Sequence, residues 1–156
     1  MSHSGHEATV RWERRAEPFV DNRYSRAHAW LFDGGTEVPA SASPANVPQG
    51  TADVSAVDPE EGFVAALASC HMLWFLSLAA AAGFVVERYE DEPVGHMREV
   101  RPQREALTEV ILRPRVTFDP AHAPNAAALD ALHHAAHDHC FLANSVNSTI
   151  RIEARS

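Results

Sequence analysis

The sequence predicts an α+β fold in which strands precede a long helix, more strands and a second helix follow, and one strand closes the chain. Three observations carry this prediction. Apolar and polar residues alternate near the N-terminus and again over 148–154, as half-buried strands do. From Phe63 to Ala82 only His71 can carry a charge, and this run lies between helix start and stop residues. A second helical pattern covers Pro124 to His139, so the order is grouped rather than alternating βαβ.

The 156 residues, 46% hydrophobic and 22% charged, are enough for one domain with a real core. Residues 1–8 are expected to be disordered and 9–156 to form the domain. The polar N-terminus, with His3, His6 and Glu7 ahead of any apolar run, does not read as a secretory signal, so a cytoplasmic protein is expected. A net charge of −8 argues against nucleic acid and anionic membranes as partners. By length alone the 63–82 run would cross a membrane, but its alanine-rich composition and globular surroundings favour a buried central helix. The two cysteines, Cys70 and Cys140, point to a reducing compartment, where cysteines are more often catalytic or incidental than structural staples. Their spacing fits neither CxxC nor a zinc ribbon.

The elements follow in order. Thr9 to Arg14 reads as a strand with Val10 and Trp12 inward, broken by Pro18. Tyr24 to Phe32 reads as a second, Asp33-Gly34-Gly35 as a turn, and Thr36 to Ala40 as the hairpin partner. Residues 41–57, rich in Ser, Ala and Pro, form a loop feeding the long helix. Asp58 is placed to cap that helix, Pro59 suits its first position, and Glu61 favours the positive end of its dipole. Phe63, Ala66, Leu67, Cys70, Leu73, Trp74 and Ser77 trace one face, and Gly83 is the stop. Phe84 to Glu90 and Gly95 to Val100 read as strands, with a turn at 101–105. Leu107 to Phe118 reads as one strand, bent or set at an edge by Pro114. The second helix turns Leu129, Leu132 and Ala136 inward, and Ser148 to Ala154 is the last strand.

Each residue that could carry chemistry has two readings. Cys70 is either a small buried hydrophobe or a reactive thiol. It lies about three turns into the helix, beyond reach of the N-terminus, so a reactive Cys70 needs a cation from elsewhere. Arg23 and Arg26 are the candidates, against the ordinary fate of surface strand arginines. Glu60 either complements the helix dipole or orients an arginine or a substrate hydroxyl. Cys140, where a helix ends, is either inert or a thiol free to move and condense with a sulfenic acid. His133, His134, His137 and His139 crowd the turns before Cys140. His133 and His137 share a helix face, so metal binding through the His133–Cys140 cluster competes with the reading of solvated residues near a helix C-terminus. His71 lies about 100° round the helix from Cys70, away from the thiol.

The segment Asp58-Pro59-Glu60-Glu61-Gly62-Phe63-Val64-Ala65-Ala66-Leu67-Ala68-Ser69-Cys70-His71-Met72 resembles the signature of the OsmC/Ohr family, the osmotically inducible and organic hydroperoxide resistance proteins. A helix ending in His139-Cys140, followed by Phe141-Leu142-Ala143-Asn144-Ser145 and a strand, resembles the family's second cysteine segment. The resemblance covers about residues 9–154. It departs at Phe141, where many members have proline, at Gly62, where a bulky residue is usual, and in the missing Gly-Gly-Arg context.

The resemblance implies antiparallel sheets around two long central helices in an intertwined homodimer, and thiol peroxidase chemistry on organic hydroperoxides. It places Cys70 at the peroxidatic cysteine, Cys140 at the resolving cysteine, and Glu60 at the glutamate that pairs with the active-site arginine. Arg26 is preferred to Arg23 for that arginine because it lies closer to the Asp33-Gly34 turn. A Cys70 sulfenic acid would condense with Cys140 to a disulfide, which an external dithiol of the lipoyl type, on a reductant protein or lipoyl domain, would reduce. Phe63, Leu67, Phe141 and Leu142 would line the substrate site and favour organic over hydrogen peroxide. No bound cofactor or metal is expected. A non-catalytic small-molecule binder on the same fold remains the alternative, beside metal binding.

Overall fold

The computed structural model describes residues 5–156, so part of the expected disordered stretch 1–8 lies outside the described residues. The chain divides into two compact units, one ending at Gly62 and one spanning Phe63–Ser156.

The first unit is a three-stranded antiparallel sheet in the order β1 (Ala8–Arg11), β2 (His28–Phe32), β3 (Glu37–Ala40). The 33–35 turn closes the β2–β3 hairpin, with Gly35 at φ 86°, and Trp30 stands opposite Val38 and Val10. The strand expected from Tyr24 is shorter: residues 24–27 are irregular, and the Arg26 amide donates to Thr51 O at 2.8 Å instead of joining a ladder. The inward orientation expected of Val10 and Trp12 does not hold. Val10 is 66% exposed, and Trp12 lies past the strand in an aromatic cluster with Phe19 and Tyr24.

The long helix, α1 (Pro59–Ala81), begins as its sequence demands. The Glu61 amide donates to Asp58 Oδ1 at 2.8 Å, and the Asp58 amide donates back to Glu61 Oε2 at 3.1 Å, a reciprocal capping box. Gly83, at φ 81°, ends it, and the Phe84 amide closes on Ala79 O.

In the second unit α1 is the spine. Leu67 and Ala68 pack with Val110 and Leu112, while Phe75 and Ala79 pack with Leu132 and Ala136 of α2 (Ala126–His139). The buried stripe is Leu67, Ala68, His71, Phe75 and Ala79, rotated from the expected face, and Leu73 is 60% exposed. β4 (Val86–Asp91) pairs with β7 (Pro114–Phe118), and β5 (Val94–Arg101) pairs with β6 (Arg104–Leu112). The single bent strand expected over 107–118 is therefore two strands in two sheets. Pro114 has no N–H to continue a ladder, and the Arg113 amide turns aside to Asp91 Oδ1. β8 (Thr149–Ile152) runs parallel to β6, among the described residues the one parallel strand pairing in otherwise antiparallel sheets, because the chain returns to it by way of α2.

Candidate active site

Cys70 lies at the middle of α1 and is half-buried; Cys140 is the residue that ends α2 and is 2% exposed. Both belong to the second unit, both are free thiols, and Cys70 lies near enough to Cys140 to shift its titration. Burial first, and the neighbouring Cys70 second, push the Cys140 thiol up to about 11. A thiol held protonated is a poor nucleophile. The chain past Cys140 is pinned locally: the Ala143 amide donates to Cys140 Sγ at 3.4 Å, and Asn144 Nδ2 donates to Cys140 O at 3.0 Å.

Aromatic groups close the neighbourhood. Trp74, one turn beyond Cys70, stacks on His139 with ring centres 5.0 Å apart and takes Phe141 edge-on at 5.5 Å. Phe141 is 69% and Leu142 37% exposed, so both offer apolar surface beside the cysteine segment. Phe63 is partly buried against the Leu67–Val110–Leu112 core and also lines a surface groove with Leu107 and Val146. Leu67, expected on the substrate wall, is 1% exposed and belongs to the core, where the rotation of the buried stripe carries it.

The first unit holds the charged candidates. Arg26 donates to Asn22 O at 3.0 Å and Asn22 Oδ1 at 2.8 Å, and its guanidinium lies 3.6 Å from the centre of the Tyr24 ring. Arg23 is exposed, and among the described residues only its amide is tied down, to Asp21 Oδ1. Glu60 sits in the first turn of α1. Asn46 Nδ2 donates to its Oε1 at 3.3 Å, and Oε2 is buried with no hydrogen-bond partner among the described residues. Among the described residues Arg26 and Glu60 form no ion pair; Asn46 and the Tyr24–Asn22 loop occupy them instead. Arg26, Tyr24, Trp12, Phe19 and His28 line a groove of about 400 Å³.

Two features escaped the sequence reading. His28 lies within hydrogen-bond distance of both neighbours: Trp30 Nε1 donates to its Nε2 at 3.2 Å, which leaves Nδ1–H to donate to Arg26 O at 2.8 Å. Its place two residues before Trp30, on the same strand face, was the available signal. The other is His133, expected in solvent but 5% exposed and bonded to buried His71 at 3.1 Å. Its position directly beside Leu132, on the stripe that includes Leu129 and Ala136, was the available signal. His134 and His139 are exposed, and among the described residues no group of three or more His, Cys, Asp or Glu is placed to hold a metal ion.

Comparison with known proteins gives a consistent picture. A family model described as OsmC-like protein matches residues 50–155. The solved structure of an OsmC-like protein of unknown function from Vibrio cholerae is 47% identical, covers 98% of this chain and 100% of its own, and superposes with a TM-score of 0.94. An organic hydroperoxide resistance protein OsmC from Legionella pneumophila, 16% identical over 100% of both chains, has a TM-score of 0.73. The organic hydroperoxide resistance protein OhrB of Bacillus subtilis, 16% identical over 97% of this chain and 98% of its own, has a TM-score of 0.64. The last two likenesses are of fold. Comparison with curated protein sequences finds no match.

Proposed function

The chain belongs to the OsmC-like family, and from that premise we propose that it is a thiol-dependent peroxidase that reduces organic hydroperoxides. The observation that carries this reading is the neighbouring pair Cys70–Cys140, with the second thiol buried and pushed up by that burial and by Cys70. The Cys70 thiolate attacks the distal peroxide oxygen. The O–O bond breaks, Cys70 becomes a sulfenic acid, and the alkoxide takes a proton and leaves as an alcohol. Cys140 sulfur then displaces the sulfenic oxygen, which leaves as water with the thiol and sulfenic protons, and a disulfide remains. A lipoyl-type dithiol restores both thiols by exchange and becomes a disulfide itself.

Arg26 is the cation assigned to the thiolate and peroxide, supported by its organised guanidinium; Arg23 has no such support. Glu60 is assigned to orienting that arginine or the substrate. Phe141, Leu142 and Phe63 are assigned to the organic group. The working assembly is a homodimer, supported by the exposed apolar face of α1 at Ala65, Ala66, Leu73 and Ala80. A cytoplasmic location accords with two free thiols.

The test is steady-state consumption of cumene hydroperoxide with dihydrolipoamide as reductant. The proposal expects turnover that Cys70→Ser abolishes; undiminished activity in Cys70→Ser overturns it. A second reading, a non-catalytic binder of small apolar molecules, is favoured by the aromatic groove around Arg26. Inert thiols together with saturable binding of a non-oxidising aromatic compound would select it.

A further inference from the structure

We propose that the buried His71–His133 pair is a positioning device for the disulfide step, setting the register of α1 against α2 that places Cys140 on Cys70. It rests on the reading of the cysteine pair above.

The placement is direct. His71 follows Cys70 on α1, and His133 lies two turns before Cys140 on α2, nearly on the same helix face. His71 Nε2 and His133 Nδ1 are 3.1 Å apart, with the residues 1% and 5% exposed. Their rings are within 6° of parallel, and the Phe75 ring lies 4.4 Å from that of His133. Around them the helices meet through Phe75, Ala79, Leu132 and Ala136.

Apolar contacts of that kind are non-directional and tolerate small slides or rotations of one helix over the other. A buried hydrogen bond does not. Among the described residues His71 Nδ1 and His133 Nε2 have no hydrogen-bond partner, so there the bond between the rings is the only one either side chain makes. Any slide that breaks it strands both rings in an apolar layer. The pair therefore selects one register among several that packing alone would allow, and the thiol pair lies in that register. The step it serves needs no added reactant. The S–S bond forms as the sulfenic S–O bond breaks, and the oxygen leaves as water with the two protons.

The test uses the full chain. His71→Leu/His133→Leu replaces the pair by apolar groups of similar size, which a core accepts, and His133→Asn keeps a polar atom near the Nδ1 position. Reduced protein is treated with one equivalent of cumene hydroperoxide. Sulfenic acid is trapped with dimedone, and Cys70–Cys140 disulfide is followed by mass. In parallel, disulfide formation is followed with oxidised glutathione, which requires no peroxidase activity. In the double leucine variant we expect Cys70 oxidation at the wild-type rate, disulfide formation slowed by between about tenfold and about a hundredfold, and dimedone adduct accumulating. His133→Asn should recover most of the rate. Disulfide formation at the wild-type rate in a folded double leucine variant overturns the proposal. A wild-type protein that forms the disulfide with glutathione but not with hydroperoxide removes the peroxidase reading, and the glutathione arm still decides the role of the histidines. A wild-type protein that forms it with neither reagent overturns both.

Discussion

Gly62 has no side chain because Trp30 occupies its place. A β-carbon at Gly62 would lie 2.6 Å from Trp30 Cη2 and 2.9 Å from Cζ3, closer than packed atoms approach. The indole that leans on the first turns of α1 also donates to His28, and His28 in turn holds the Arg26 carbonyl. A glycine inside a helix therefore links the helix start to the arginine loop.

Gly62→Ala should accordingly destabilise the protein. In an open helix position alanine would gain about 1 kcal/mol over glycine. Here a rigid indole must shift, at a cost of roughly 1–3 kcal/mol, so the net sign is loss. Urea denaturation of Gly62→Ala beside Gly62→Ala/Trp30→Leu checks it. The second change should recover stability, and a stabilised single variant contradicts the packing described.

Replacing Asp58 by alanine removes one half of the capping box and should cost about 1 kcal/mol. Asp58→Asn, which keeps an acceptor oxygen, should lose less. Denaturant midpoints of the two variants measure the difference.

Acid should weaken the fold through the buried histidines. His71 is pushed down to about 4 by burial first, then by His133 and His137; His133 is pushed down to about 4 by burial, opposed by Asp130. In the unfolded chain both titrate near 6.5, so between about 6.5 and 4 the unfolded state binds more protons. Stability is thus fully present above about pH 7 and lost as pH falls through that window. The loss is roughly 3 kcal/mol for the first proton on the pair. Denaturation at a series of pH values should show this slope, reduced in His71→Leu/His133→Leu; a flat profile from pH 7 to 4.5 contradicts the buried neutral pair.

Arg26→Ala should lower kcat/KM for cumene hydroperoxide by about a hundredfold or more if Arg26 stabilises the developing charge. Arg23→Ala should change it by less than about twofold, since Arg23 is exposed and its amide is hydrogen-bonded to Asp21 Oδ1 rather than its guanidinium being organised as that of Arg26 is. Equal effects of the two substitutions would remove the assignment.

The ends of α1 were legible because Asp58, Glu61 and Gly83 act locally, through hydrogen bonds to their own neighbours. Its buried face was not. An apolar residue stands at nearly every position, so nothing in the pattern distinguishes Leu67 and Phe75, which are buried, from Leu73, which is exposed. The same loss of contrast moved Leu67 from an expected substrate wall into the core. His133 was hidden for a different reason: its burial depends on His71, far away in the chain, which supplies the hydrogen bond that makes it tolerable. The division of 104–118 between two sheets follows from Pro114 together with Asp91, and only Pro114 could be weighed locally. Cys70 and Cys140 stood out as the two cysteines, yet their spacing alone carried no pairing; the resemblance of their two segments to one family did.

The central claim is that Cys70 and Cys140 form a working dithiol. Its most direct test is intact mass and peptide mapping of the reduced protein after one equivalent of cumene hydroperoxide. The account predicts a product lighter by the two thiol hydrogens, with the loss mapped to a Cys70–Cys140 disulfide. An unchanged mass with both thiols free would contradict it.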